Sequence, residues 1–179
     1  MITTYKTISE TTYMFGSDIL FSEKMQSEKN FVQHANVSCY EHSVNVAEKS
    51  LFLAMVFNKK VDEKSLVRGA LLHDYFLYDW HMSGHRLHGF FHAKRALRNA
   101  ERDFELSEIE KDIIKRHMFP LNLCPPKFRE SRIVCLADKI CAIEEIFSNY
   151  NFSKRAIIKK MCRASKRLAL LAIVFISRR

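Results

Sequence analysis

Two adjacent residues near the middle of the chain, His73 and Asp74, have side chains that suit a metal ion. They end an apolar stretch, LVRGALLHDY over residues 66–75. Adjacent residues on a helix point about 100° apart, so both can face one ion only where the helix lines a polar pocket. Further ligands must then come from elsewhere. Four residues of suitable type lie in or beside apolar segments: His42, His88, His117 and Asp138.

The types of these side chains indicate which ion they would hold. Neutral imidazole with carboxylate suits Mn²⁺, Fe²⁺, Co²⁺ or Zn²⁺ better than Ca²⁺, which prefers oxygen alone. A lone histidine such as His42 on an apolar helix face is more often a hydrogen-bonded core residue. Asp138 is more informative, because a carboxylate within an apolar helix is costly unless it is paired or bound to a cation. The ordered set therefore predicts a metal site that no single member would.

Helices must carry these residues, because apolar positions recur around them at helical spacing. His42 lies one turn before Val46, on the buried side of the first such helix. Asp62 and Glu63 suit the start of the next, where backbone N–H groups favour negative charge. The predicted helices span residues 38–57, 61–73, 90–105, 107–117, 131–150 and 153–177.

Local signals mark some of the ends of these helices. Ser107 and Glu110 have the spacing of a capping box, and Pro120 cannot continue the helix that ends near His117. Residues 131–150 are apolar nearly all round, which predicts a central, buried helix. The aromatic- and histidine-rich residues 76–91 indicate a loop. Its His81 and His85, and also His34, are expected at the surface or in a loop.

The first residues give weaker signals. Residues 1–16 are rich in Thr and Tyr, and their apolar residues recur with no clear period. This indicates a loop or a short helix that packs over the rest of the domain. A helix starting near Ser17 would have Ser17 or Asp18 as its N-cap.

Composition favours a single all-α domain over residues 1–179. The chain contains only four Gly and three Pro, fewer than the turns of an antiparallel sheet protein would need. Hydrophobic residues make up 47% and charged residues 27%, as in ordinary globular proteins. The length allows one continuous core without disulfides.

The net charge of +9 is carried by the C-terminal segment. Residues 1–150 contain as many acidic as basic residues, whereas residues 151–179 contain nine Lys and Arg and no acid. This basic segment predicts a solvated helix face, with contact to nucleic acid or an anionic membrane as the less favoured alternative. The apolar run 168–176 is too short to span a bilayer, which needs about 20 residues, and packing on the body or on a second copy in a homo-oligomer is preferred.

The five cysteines form no C-x-x-C pair. An odd count, together with an N-terminus MITTYKTISE that lacks a secretory signal pattern, predicts reduced thiols and a cytoplasmic protein.

The order His42, His73-Asp74, Asp138 resembles the H…HD…D signature of the HD-domain superfamily of metal-dependent phosphohydrolases. The flanking segments HSVNVA, GALLHDY and LADKI are similar to the helices that carry this signature, and the resemblance covers about residues 34–148. It implies an HD-domain-like helical bundle. The Gly-Lys pair usual after the HD residues is missing, since residues 75–78 are YFLY, which does not fit the cyclic-dinucleotide subfamily.

The resemblance implies that His42, His73, Asp74 and Asp138 bind metal and that His73 and Asp74 serve catalysis. Some HD families add two histidines and hold two ions bridged by the HD aspartate. His88 and His117 stand at the corresponding places, so one or two ions of Mn, Fe, Co, Zn or Mg are expected. His92, one turn beyond His88, is the alternative ligand.

The expected activity is hydrolysis of a phosphoester of a small metabolite or nucleotide by metal-activated water. Arg86, His85 and Lys139 are candidates for contacts with the phosphate. The alternative is a non-catalytic nucleotide-binding or signalling module that keeps the metal as a structural feature.

Overall fold

A computed structural model describes residues 2–81 and 88–148, with the backbone alone for residues 2–6, 88, 90 and 148. Seven α-helices and one short hairpin lie within these ranges, and helix accounts for 69% of the structure. The prediction of an all-α helical bundle is confirmed. The elements are α1 (Ile2–Leu20), α2 (Glu23–Ser27), β1 (Val32–His34), β2 (Val37–Ser38), α3 (Cys39–Val56), α4 (Glu63–Leu72), α5 (His88–Asp103), α6 (Glu108–Arg116) and α7 (Arg129–Ser148).

Helix α4 forms the centre of the bundle. Every residue from Ser65 to Leu72 is buried, and the helix packs against α1, α3 and α6. Gly69 permits the close approach of α6, because a Cβ at this position would lie 2.5 Å from Ile113 Cδ1. The residues that follow α4, His73 and Asp74, are therefore delivered into the interior of the molecule.

The prediction that α7 would be central holds only for its N-terminal half. Ile133, Val134 and Ala137 are fully buried, whereas Ile146 and Phe147 near the other end are 42% and 47% exposed. The apolar pattern alone could not separate the two halves, because it does not show where neighbouring helices end.

The capping box read from the sequence at Ser107 and Glu110 is present. The Ser107 side chain accepts from the Glu110 backbone N–H while the Glu110 side chain accepts from that of Ser107, and α6 ends at Arg116 with His117 as its C-cap. A second capping box joins Ser38 and Glu41 at the start of α3. These reciprocal bonds set where the ligand-bearing helices begin.

The expectation for the N-terminus was wrong, since α1 is continuous through Ser17 and Asp18. Tertiary packing supports it despite the Thr-rich sequence: Ile8 and Ile19 are buried in the core. The Asp18 carboxylate does not cap a helix but accepts two hydrogen bonds, of 2.6 and 2.7 Å, from Arg68 of α4. Arg68 also donates to Glu110, so this one guanidinium ties α1, α4 and α6 together.

No described helix combines the length and the hydropathy that crossing a membrane requires. The predicted helix over residues 153–177 lies outside the described residues, as do the loop residues His85 and Arg86.

Candidate metal centre

His73 is oriented by the end of the helix that carries it. It is the C-cap of α4, its side chain is fully buried, and its Nδ1 lies 2.7 Å from the Ala70 carbonyl oxygen. A carbonyl can only accept, so Nδ1 carries the proton of this bond and Nε2 is the ring nitrogen that faces the site. This Nε2 is buried and has no hydrogen-bond partner among the described residues, as expected of a ligand atom.

His117 repeats this arrangement at the end of α6. It is the C-cap, and its Nδ1 donates to the Ile114 carbonyl oxygen at 2.8 Å. Burial lowers the pKa of His117, although the neighbouring Asp74 acts in the opposite direction. The ring is therefore neutral near pH 7 with its Nε2 lone pair facing inward.

Three helices bring together the first triad, which consists of His42, His73 and Asp138. His42 Nε2 lies 3.2 Å from Asp138 Oδ1, and His73 Nε2 lies 3.7 Å from the same oxygen. One ligand atom from each residue lies within 4.8 Å of the others. This spacing suits two nitrogens and an oxygen around one divalent ion.

The second triad consists of Asp74, His92 and His117. Asp74 Oδ1 lies 3.3 Å from His92 Nε2 and 3.4 Å from His117 Nε2, and the two ring nitrogens are 2.9 Å apart. Because His117 Nε2 carries a lone pair, the pair needs a proton on His92 Nε2 or a cation between the rings. A divalent ion meets that need with three ligand atoms already converged.

Asp74 connects the two triads. Its Oδ2 lies 3.4 Å from His73 Nε2 of the first triad, while its buried Oδ1 faces the second and has no hydrogen-bond partner in the described part of the chain. Burial raises the pKa of Asp74, but the surrounding histidines, chiefly His73, hold it well below its ordinary value. The carboxylate is therefore ionised, with one oxygen toward each triad.

His42 sits between two carboxylates. Its Nδ1 lies 2.8 Å from Glu145 Oε2, and Asp138 faces its other nitrogen. Burial by itself lowers the pKa of His42, but the hydrogen bonds to Asp138 and Glu145 raise it to about 10. Glu145 has the position of an outer carboxylate that orients a metal-binding histidine.

Five of the six predicted metal-binding residues converge in the structure: His42, His73, Asp74, His117 and Asp138. The sixth, His88, is the first residue of α5, and its side chain lies outside the described ones. The alternative, His92, one turn further along the same helix, is the histidine found in the second triad. Its assignment as the ligand enters below as a proposal.

Lys139 is the one predicted phosphate contact among the described residues. Its Nζ donates to the carbonyl oxygens of His117 and Cys135 at 2.9 and 3.1 Å and to Cys135 Sγ at 3.2 Å. Nζ also lies 3.9 Å from Asp138 Oδ2. Lys139 thus fastens the end of α6, which carries His117, to α7.

Sequence reasoning missed three residues at this centre: Gln33, His34 and Glu145. His34, expected at the surface, is partly buried on β1 with its ring centroid 5.2 Å from that of His42. Ligand atoms of His34, His42 and Glu145 form a third close group. Glu145 had one signal, its position seven residues after Asp138, which puts both on one face of α7. The hairpin residues Gln33 and His34 had no such signal in the sequence.

A helical bundle whose interior holds two triads of imidazole and carboxylate, with Asp74 of the second also facing His73 of the first, defines a candidate divalent-metal centre. The family model of the HD domain matches residues 39–143, more than half of the chain. The chain belongs to the HD-domain family. HD domains bind divalent metals, and most are metal-dependent hydrolases of phosphorylated substrates. Comparisons with curated proteins and with solved structures produced no match.

Proposed function

We propose that this protein is a metal-dependent phosphohydrolase that cleaves a phosphoester of a small metabolite or nucleotide. The observation that carries the proposal is the Asp74 carboxylate, ionised and buried, with one oxygen toward each of two His-containing triads. A structural metal would need one closed set of ligands, whereas two adjacent open sets suit hydrolysis.

In this proposal His42, His73 and Asp138 would hold one ion, His92 and His117 would hold a second, and Asp74 would be available to both. Mn²⁺, Fe²⁺, Co²⁺ and Zn²⁺ suit these nitrogen and oxygen donors, and Mg²⁺ is the harder alternative. Bound divalent ions supply Lewis-acid chemistry, which lowers the pKa of water and polarises a phosphoryl oxygen.

The contribution of the chain is to hold its donors in place before substrate arrives. His73 and His117 have their Nδ1 protons engaged by backbone carbonyls, which directs both Nε2 atoms inward. The ligands stand at the ends or inside of packed helices, so little reorganisation accompanies binding. Asp74 and Asp138 supply the negative charge that balances the ions.

The phosphate of the substrate needs cationic or N–H contacts outside the triads. Arg86 and His85 remain our proposed contacts, since an Arg offers a planar pair of donors to a phosphate. Lys139 would have to give up one of its three present bonds to join them. We therefore assign Lys139 first to holding His117.

We place the activity in the cytoplasm. Cys39, Cys124, Cys135 and Cys141 are free thiols, which fits a reducing compartment. Homo-oligomer formation and a contact through the basic residues 153–177 stay predictions.

The test begins with protein purified without chelator. Bound metal is measured by elemental analysis, and phosphate release is assayed on a panel of nucleotides and phosphate monoesters before chelation, after it, and after return of Mn²⁺ or Co²⁺. We expect chelation to abolish release and the metal to restore it. No bound metal and no hydrolysis with any ion would refute the proposal. Tight nucleotide binding without hydrolysis would favour the binding or signalling module instead.

A further inference from the structure

Gln33 lies inside the site although it belongs to the hairpin and not to a ligand-bearing helix. Pairing of the two strands is irregular at this residue: Val32 is opposite Ser38, whereas His34 is opposite Val37. Such irregularities redirect a side chain. The Gln33 side chain is turned inward and is 7% exposed, while Val32 before it is 41% exposed.

Both ends of the Gln33 amide are engaged. Nε2 donates to Asp74 Oδ2, and Oε1 accepts from Cys39 Sγ at 3.3 Å. A carboxylate can only accept, so the amide must present its NH₂ group to Asp74 and its oxygen to the thiol. Cys39 is fully buried, and its burial, with the nearby charges of Glu28 and Asp74, raises the pKa of the thiol. The thiol therefore keeps its proton and can donate.

We propose that Gln33 is a positioning residue that holds the Asp74 carboxylate at the angle at which each oxygen serves a different triad, and that Cys39 fixes the orientation of the Gln33 amide. The inference rests on the proposed two-ion site. It adds to that site a relay of two hydrogen bonds, from Cys39 to Gln33 and from Gln33 to Asp74, in which only Asp74 is a proposed metal ligand.

The reason lies in the freedom of a carboxylate to rotate. Asp74 Oδ1 has no hydrogen-bond partner among the described residues, so the bond from Gln33 restrains the group through Oδ2. Without it, the carboxylate can turn so that both oxygens face one triad, and the other triad loses its shared oxygen. Outer residues that orient ligands typically change metal affinity by about 10–100-fold.

The test compares Gln33→Met with Gln26→Met. Met keeps the length of the side chain and removes its hydrogen bonds. Gln26 is the matched control because its amide donates to the Leu20 carbonyl oxygen, away from both triads. Chelated protein is titrated with Co²⁺, and the stoichiometry, the two dissociation constants and the visible spectrum are recorded. We expect two ions in the wild type and in Gln26→Met, and in Gln33→Met about 10–100-fold weaker binding of one ion with an altered spectrum.

A second pair of variants tests the outer step and covers the case in which Gln33→Met does not fold. Cys39→Ser retains a donor and should bind Co²⁺ like the wild type, whereas Cys39→Ala should weaken one ion by less than Gln33→Met does. Equal affinities in all four variants and the wild type would overturn the relay and leave the phosphohydrolase proposal standing. A wild type that binds no Co²⁺, or only one ion, would overturn the relay together with the two-ion site on which it rests.

Discussion

The two triads have the same composition, two histidines and one aspartate each, but differ in the groups that surround their histidines. In the first, His42 is held between Asp138 and Glu145, at 3.2 and 2.8 Å. In the second, the rings of His92 and His117 share a single oxygen of Asp74. Two carboxylates stabilise a proton on an imidazole, whereas two adjacent imidazoles in a buried site disfavour one.

This difference predicts unequal states of the two triads before metal arrives. The pKa of His42 is raised to about 10, so its ring carries a positive charge near pH 7. The pKa of His117 is lowered by burial, so its ring is neutral. An ion entering the first triad must displace a proton, and an ion entering the second finds a lone pair at His117 Nε2.

The triads also differ in what holds them. In the first, His42 and Asp138 lie inside the long helices α3 and α7, and only His73 stands at a helix end. In the second, only His92 lies inside a helix, and the helix ends that carry Asp74 and His117 are fastened by side chains: Asn99 of α5 donates to the carbonyl oxygens of Tyr75 and Phe76 at 3.1 and 3.0 Å, and Lys139 donates to that of His117. In the second triad, side-chain hydrogen bonds to backbone carbonyl oxygens therefore hold the segments at the helix ends that carry Asp74 and His117.

The largest effect is expected where the triads meet. Asp74→Ala should remove the shared ligand and lower both metal content and phosphate release by more than about 100-fold, since residues that merely orient ligands already cost about 10–100-fold. Elemental analysis and the phosphate assay measure it. Asp79→Ala is the control, because Asp79 is 39% exposed and pairs with His81. Retention of two ions in Asp74→Ala would contradict the shared role.

Single-triad variants should separate the two sites. His73→Ala should leave the second triad with its ion, and His92→Ala should leave the first, so each variant binds one Co²⁺ in place of two and has its own visible spectrum. His88→Ala, the matched change one turn earlier on α5, should bind two. The reverse result, a lost ion in His88→Ala and none in His92→Ala, would return the ligand role to His88.

These variants allow the pH dependence of each triad to be measured alone. The pKa of His42 is about 10, so below that value metal binding at its ring releases a proton, and the affinity of His92→Ala for Co²⁺ should rise about tenfold per pH unit from pH 6.5 to 8.5. His73→Ala, which keeps the neutral His117, should show a smaller slope. Equal slopes in the two titrations would remove the proposed difference between the triads.

The smallest effect is expected for the outer carboxylate of the first triad. Glu145→Gln keeps the shape but weakens the bond to His42 Nδ1, so Co²⁺ affinity should fall by about 10-fold and the pH slope should become shallower. The adjacent Glu144→Gln is the control, since Glu144 is 45% exposed and pairs with Lys49. An equal loss of Co²⁺ affinity in both variants would point to a general effect of the removed charge and not to orientation of His42.

Much of the site could be predicted because metal binding restricts residue types and helices restrict spacing. His42, Asp138 and the His73-Asp74 pair stood in apolar periodic segments, where a polar side chain needs a partner. His88 and His92 could not be separated, because they are four residues apart and lie on nearly the same face of α5. Only the position of α5 against α6 brings His92 to His117.

By itself, the sequence determined helices α3 to α7 and the capping box at Ser107, and it determined which side chains could act as ligands, because those features depend on local hydrogen bonding and on chemical type. Tertiary structure decided that α4 is central and α7 only in its N-terminal half, that α1 is one helix, and that Asp74 lies between two triads. It also decided the roles of Glu145 and Gln33. These outcomes depend on contacts between residues far apart in the chain, such as Gln33 with Asp74 and His42 with Glu145, and no local pattern encodes such distances.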